Sequence, residues 1–185
     1  MVEEPSMRET LSLLVPKLFP SLEENTHWMI LAHQGKKDLE KSILIKLKSW
    51  FSKNDKFVIL RDNDGGDCKK LKRHLKRLAS AWPNDNTLVR IVCQELESWF
   101  LGDLAAVKNA YTSFKGNASN QTAKYRTPDK LTNASDELFK LIGVSGKVSR
   151  ARDIARHLNP DPSQNTSTSY RVFVTGLKRL VANDY

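Results

Sequence analysis

A short apolar run that leads directly into an acidic, glycine-containing segment constrains the fold of this chain most. Phe57–Leu60 are four consecutive apolar residues, and Arg61–Asp67, which follow them, include three aspartates and two glycines. An apolar run bounded by turn-forming residues is typical of a buried strand in a parallel sheet. In open α/β sheets, ligands bind at the carboxyl ends of such strands. The sequence therefore predicts an α/β protein with an acidic, ligand-binding edge.

Two of these aspartates have the spacing of a metal site. Asp62 and Asp64 are two residues apart where the strand ends, so their carboxylates can converge on one cation. Oxygen ligands suit Mg²⁺ or Mn²⁺. The alternative is an ordinary surface turn, because Asp, Asn and Gly are the commonest turn formers. The residues alone leave both interpretations open.

The rest of the chain alternates between strand and helix patterns up to about residue 111. Two further apolar segments, 28–32 and 88–92, are typical of strands. Apolar residues spaced three and four apart predict helices, which lie from residue 6 onward and over 39–51, 67–80 and 104–111, then near 135–142, 148–158 and 170–181. A strand should precede the first helix, but only Met1-Val2 are available for it, which indicates a truncated or misassigned start.

These patterns predict a mostly parallel sheet flanked by helices, with a helical C-terminal extension. Residues 1–111 form the predicted α/β core. Residues 112–135 lose apolar periodicity and predict a long loop. We expect this loop and the helices that follow it, over 112–185, to pack on the core as one globular unit.

The charge of the chain favours a polyanionic partner. The chain has 30 Lys and Arg residues and 21 Asp and Glu residues, which gives a net charge of +9. Nucleic acid is the first candidate for such a partner. The predicted helix 67–80 carries much of this charge, and an ordinary solvated helix face is the alternative. The candidate phosphate-binding residues are Lys36, Lys69, Lys72, Arg73 and Lys76.

A second pair of carboxylates follows the predicted strand 88–92. Glu95 and Glu97 stand where that strand ends, and either could be a further metal ligand or a general base. The alternative is that both are acids at a helix N-terminus, where the helix dipole stabilises negative charge.

Several classes of protein are disfavoured by the sequence. No run of 18 apolar residues predicts a membrane span. Met1–Pro5 lack the basic and apolar regions of a signal peptide. Cys68 and Cys93 are the two cysteines, and they lack metal-ligand spacing. We therefore expect a reduced, cytoplasmic protein that does not bind membranes.

A glutamate followed downstream by Asp-x-Asp, each at a strand end, resembles the Toprim fold of topoisomerases, primases and overcoming-lysogenization-defect nucleases. Val2–Ser6 are similar to the glutamate motif, and Arg61–Asp64 are similar to the Asp-x-Asp motif. The resemblance implies that Glu3, Asp62 and Asp64 bind Mg²⁺. One departure is that a single apolar residue precedes Glu3.

More closely, the chain resembles the bacterial Toprim-like family of proteins called domain-of-unknown-function family 4276. That family's genes often neighbour an ATPase gene in presumed phage-defence loci, which implies an ATPase partner. The segment Glu95–Asp103 is the most specific match. The other matching segments are Val2–Ser6, Gln34–Lys36, Asp62–Cys68, Ser169–Phe173 and Gly176–Leu177.

Three functional hypotheses follow. The first is a Mg²⁺-dependent nuclease in which Glu3, Glu95 or Glu97 takes part in catalysis. The second is a catalytically weak module that binds nucleic acid or the ATPase partner. The third is a phosphatase with Asp62 as nucleophile, because Leu60–Gly65 resemble the Asp-x-Asp-Gly turn of haloacid dehalogenases; Gly66 departs from that motif.

Overall fold

The computed structural model describes residues 1–52, 54–83, 86–116 and 123–182. These residues form two strands, β1 (Phe57–Asp62) and β2 (Thr87–Val92). They also form eight α-helices: α1 (Pro5–Leu18), α2 (Lys36–Ser49), α3 (Cys68–Leu78), α4 (Glu97–Leu101), α5 (Leu104–Ala110), α6 (Ala134–Ile142), α7 (Lys147–Ala155) and α8 (Thr168–Ala182). The protein is therefore of the α/β class, as the sequence predicts.

The sheet is small and parallel. β1 pairs with β2 so that Phe57 lies opposite Thr87 and Asp62 lies opposite Val92. The predicted loop 112–135 falls partly outside the described residues. Its described part contains two short 3₁₀ turns, Ala123–Tyr125 and Pro128–Lys130.

Two residues at the start of the chain extend this sheet. Val2 forms single parallel bridges to Leu60 on one side and Ala32 on the other. The backbone N–H of Val2 donates to the Leu31 carbonyl (2.9 Å), and the N–H of Leu60 donates to the Met1 carbonyl (3.1 Å). The first strand is thus present, although it is only two residues long.

The prediction of a strand over 28–32 was wrong in its extent. Only Ala32 of this segment bridges to Val2. The further backbone hydrogen bonds to the start of the chain come from His33, whose N–H donates to the Val2 carbonyl, and from Gly35, whose N–H donates to the Glu3 carbonyl.

Side-chain alternation along β1 divides the apolar core into two clusters, because successive strand residues point to opposite faces. Phe57 and Ile59 pack with apolar residues of α2 and α3, such as Leu39 and Leu75. Leu60 packs on the other face with α1 and with α4 to α8. Residues from both halves of the chain share this second cluster.

An aromatic group at the centre of the second cluster holds α4 against α8. Trp99 is fully buried, and its ring meets those of Tyr170 and Phe173 at centroid distances of 5.3 and 5.0 Å. The indole N–H donates to Ser169 Oγ at 2.9 Å. This packing fixes the start of α4 next to the carboxyl end of the sheet.

In the part of the chain that the structure describes, no helix has the length and apolar character needed to cross a bilayer.

Candidate functional site

The carboxyl end of β1 meets the first residues of α1, α4 and α7. Strand alternation places Asp62 on the same face as Leu60, toward these helices, and Arg61 on the opposite face, toward α2. Arg61 donates to Glu40 of α2 at 2.5 Å. Asp62 is only 5% exposed, so its carboxylate lies inside the protein.

Glu3 lies directly beside Asp62, as its position after the Met1-Val2 strand requires. Its Oε2 atom accepts a hydrogen bond from the backbone N–H of Asp62 at 3.2 Å and lies 3.7 Å from Arg61 Nε. Glu3 is buried and fixed by these contacts. The short first strand is therefore sufficient to position this carboxylate at the predicted site.

Glu4 and Lys147 join the cluster, and sequence reasoning missed both. Lys147 is the first residue of α7, and its Nζ atom lies 2.7 and 2.8 Å from the two carboxylate oxygens of Glu4. The charge of Lys147 also acts on Asp62 and Glu97. Glu4 is adjacent to the predicted Glu3 in sequence, so it could have been included. Lys147 is more than 80 positions from Glu4 and Asp62, and no sequence motif links it to them.

Glu97 is the carboxylate residue of the site with the smallest exposed fraction. It is the first residue of α4 and is 2% exposed. Its Oε1 atom lies 3.4 Å from Arg150 Nη2 of α7. Arg150 also donates to Ser135 Oγ at 2.9 Å. This buried ion pair ties α4 to α7 at the base of the cluster.

Two of the predicted site residues have partners outside this group of carboxylates. Asp64 is exposed, and its Oδ2 atom accepts from Lys36 Nζ at 3.2 Å. Glu95 accepts a hydrogen bond from the backbone N–H of Ser135 at 2.9 Å, near the start of α6. The structure thus brings Glu3, Asp62 and Glu97 together and gives Asp64 and Glu95 other partners.

The electrostatics of the cluster disfavour its negative charge. Burial raises the pKa of Asp62 well above its ordinary value, and the nearby Glu4, Glu3 and Glu97 raise it further. Burial also raises the pKa of Glu3, with a contribution from Asp64. The pKa of Glu97 is raised by burial despite the opposing effects of Lys147 and Arg150. A bound cation would relieve this repulsion.

Two oxygen atoms in the cluster have no hydrogen-bond partner. Asp62 Oδ1 and Glu97 Oε2 are both buried and unpaired. Unpaired buried polar atoms are rare and call for an explanation, such as an ion. Hard carboxylate oxygens fit Mg²⁺ or Mn²⁺ in their chemistry. Among the described residues, however, no three His, Cys, Asp or Glu side chains are already grouped to hold a metal, so the predicted ligand set stays a prediction.

Several positively charged side chains lie along the edge of β2 that does not pair with β1. Within the described residues this strand pairs with β1 alone, and α3 and α8 flank it. We call Lys72, Lys76, Arg90 and Arg179, which come from these three elements, the basic edge. Burial lowers the pKa of Lys72, as do Arg90 and Lys76; burial and Arg179 lower that of Arg90.

No carboxylate compensates the basic edge in the described part of the chain, where none of its four residues forms an ion pair. Arg90 is held in place because its Nε donates to the Val172 carbonyl at 3.1 Å and its Nη1 to the Val89 carbonyl at 3.0 Å. Sequence reasoning identified Lys72 and Lys76 but missed Arg90 and Arg179, which lie on separate elements. Lys69 and Arg73 are exposed on the same helix, α3.

These features define an α/β protein with a buried carboxylate cluster at the carboxyl edge of a parallel sheet. The chain belongs to the family described as Domain of unknown function (DUF4276), which matches residues 2–178. This confirms the family that the sequence motifs indicate. Searches of curated proteins and of solved structures gave no match.

Proposed function

We propose that this protein is a metal-dependent nuclease that hydrolyses phosphodiester bonds in nucleic acid. The observation that carries the proposal is the pair of buried, unpaired carboxylate oxygens, Asp62 Oδ1 and Glu97 Oε2, at the carboxyl edge of the sheet. They lie in a cluster whose charge is unfavourable without a cation. An uncompensated basic edge on the same protein provides a surface for a polyanion.

The relationship to Toprim domains is part of this proposal. Glu3 follows Val2, which bridges to β1, whereas Asp62 is the last residue of β1 and Asp64 lies just after it. Two adjacent parallel strands therefore present a glutamate and an Asp-x-Asp motif at one edge. This order supports a Toprim-like arrangement, although fold analogy by itself does not establish an activity.

Each residue has a proposed role. Glu3, Asp62 and Asp64 would hold Mg²⁺ or Mn²⁺, which when bound supplies polarisation of the phosphate and a more acidic water. Glu97, with its raised pKa and its unpaired oxygen, is suited to accept or donate a proton. Glu95 is the less favoured candidate for that role because its carboxylate already binds an amide of α6.

Two lysines are suited to bind the phosphate group. Lys147 lies near Glu4, Asp62 and Glu97. Its ammonium group there would offset the negative charge of the phosphate. Lys36 lies on the outer side, beside Asp64. The basic edge would hold the nucleic-acid backbone away from the reacting group, together with Lys69 and Arg73.

The test is cleavage of DNA and RNA substrates with Mg²⁺ or Mn²⁺, comparing wild type with Asp62→Asn. Asp136→Asn, on the exposed surface of α6, is the matched control. We expect cleavage that depends on the metal, survives Asp136→Asn and falls about 100-fold or more in Asp62→Asn. Cleavage that Asp62→Asn leaves unchanged would contradict the proposal.

A second candidate is a catalytically weak module that binds nucleic acid or an ATPase partner in a phage-defence system. The observation that favours it is that Arg61, Lys147 and Arg150 already neutralise part of the carboxylate charge. Co-purification with an ATPase encoded nearby, together with no Mn²⁺ binding in calorimetry, would support this candidate. Location in the cytoplasm is part of both proposals.

A further inference from the structure

The fold brings the two cysteines of the chain into contact. Cys68 is the first residue of α3, and Cys93 directly follows β2. They are 25 residues apart in sequence, and their Sγ atoms lie 3.6 Å apart. Neither thiol is fully buried. Two thiols at this separation need to approach by about 1.5 Å to reach a disulfide bond length of about 2.05 Å.

The backbone around the two thiols is already held together by hydrogen bonds. The N–H of Asn63 donates to the Val92 carbonyl at 3.1 Å, and the N–H of Asp64 donates to the Gln94 carbonyl at 3.3 Å. The side-chain oxygen of Asn63 also accepts from the N–H of Gln94. Asn63 and Asp64, which precede α3, are therefore fixed beside Val92 and Gln94, the two neighbours of Cys93 in sequence.

We propose that Cys68 and Cys93 are a reversible oxidation site that forms an intramolecular disulfide on reaction with a hydroperoxide. The disulfide would link the segment containing Asp64 to the segment containing Glu95. This inference does not depend on the proposed nuclease activity, because it concerns the two thiols and not the carboxylates.

The reaction balances with hydrogen peroxide as the oxidant. One thiolate sulfur attacks a peroxide oxygen, the O–O bond breaks, and a sulfenic acid and water form. The second sulfur attacks the sulfenic sulfur, the S–S bond forms, and the hydroxyl group leaves as water with the second thiol's proton. Overall, two thiols and one peroxide give one disulfide and two waters, and the sulfurs lose two electrons.

The order of the two steps follows from the surroundings of Cys93. Burial raises its pKa to about 12, and the carboxylate of Asp129 contributes to the rise. A protonated thiol is a poor nucleophile. The reaction with peroxide from solution therefore falls to Cys68. Cys93 resolves the sulfenic acid in spite of its raised pKa, because its Sγ lies only 3.6 Å from the sulfur it attacks.

The experiment treats the full-length reduced protein with a few equivalents of hydrogen peroxide and maps its peptides by mass spectrometry without reduction. We expect one Cys68–Cys93 cross-link within a monomer, which dithiothreitol reverses. We also expect the oxidised protein to melt about 5 °C or more above the reduced protein, because the cross-link closes a loop of the unfolded chain.

Two single variants identify the order and serve as controls. Cys93→Ser should accumulate a sulfenic acid on Cys68 that dimedone traps, whereas Cys68→Ser should react at least about tenfold more slowly with peroxide. Wild-type protein in which each thiol is oxidised separately to sulfinic acid, or in which only disulfide-linked dimers form, would overturn the proposal. The wild-type peptide map decides this even if a variant fails to fold.

Discussion

The ammonium group of Lys147 lies 2.7 and 2.8 Å from the two carboxylate oxygens of Glu4, across 143 residues of sequence. Burial alone would lower the pKa of Lys147, but Glu4, Glu97 and Asp62 more than offset this effect and raise it. Lys147 therefore stays charged and acts as the internal counter-ion of the carboxylate cluster.

Replacing this counter-ion should make stability more sensitive to pH. In Lys147→Gln, the carboxylates lose a neighbouring positive charge, so we expect a loss of about 0.5–1 kcal/mol at pH 8, because the ammonium is partly exposed and screened. The loss should be smaller at pH 5, because the raised pKa values of Asp62 and Glu97 leave these two carboxyl groups more fully protonated there. Urea unfolding at both pH values measures this effect, with exposed Lys130→Gln as the control. An equal loss at both pH values would contradict it.

The metal-free protein should respond to the raised pKa of Asp62. Because the folded state holds this proton more tightly than the unfolded state, where the ordinary value is 3.8, the contribution of Asp62 to stability is full at low pH. It is lost as pH rises through the folded pKa. The pKa values of Glu3 and Glu97 are also raised from their ordinary value of 4.5, so these two residues change stability in the same direction as Asp62.

Asp62→Asn removes the largest part of this effect. Compared with wild type in EDTA, the variant should gain stability progressively from pH 4 to pH 8, reaching about 1–2 kcal/mol. The comparison between the two proteins cancels the titration of carboxylates elsewhere. A stability difference that stays flat or falls with pH would show that Asp62 is ionised in the folded protein without cost.

The buried pair of Glu97 and Arg150 should show strong coupling. Removing one partner leaves the other charge buried without its nearest counter-charge, which costs up to about 3–5 kcal/mol. We expect Glu97→Gln and Arg150→Met each to destabilise the protein by this order. The double variant should lose at least about 1 kcal/mol less than the sum of the single losses. Additive losses in a double-mutant cycle would show that the two charges do not depend on each other.

The basic edge should determine nucleic-acid affinity and its salt dependence. Lys76→Glu, which reverses a charge beside Lys72, should weaken binding to a fluorescent duplex, whereas Lys108→Glu on α5 should change it much less. For Lys72→Ala, we expect the slope of log affinity against log salt to decrease by about 1, the value for one lost phosphate contact. If both glutamate variants weaken binding equally, only the net charge of the protein matters.

Local patterns were sufficient to predict much of the fold. The apolar run before Asp62 identified β1, and the four- and three-residue spacing of Leu71, Leu75 and Leu78 identified α3. The extent of the strand over 28–32 was not predictable in this way. A strand exists only as far as its neighbour pairs with it, and the neighbour here is Val2.

The residues of the candidate site were likewise predictable from the sequence only in part. Asp62, Asp64 and Glu3 were identifiable because they follow strands, and strand ends are where parallel sheets bind ligands. By itself, the sequence determined which short-range elements form and which acids stand at their ends. Those features depend on residues close together in the chain.

Only the tertiary structure decided which of these charges are neighbours. It placed Lys147 and Arg150 of α7 near acids that lie just before α1, at the end of β1 and at the start of α4, and it brought the Cys68 and Cys93 thiols into contact. It also assembled the basic edge from three elements. Such contacts arise when the helices pack on the sheet to bury their apolar faces, a global requirement that no single segment of the sequence expresses.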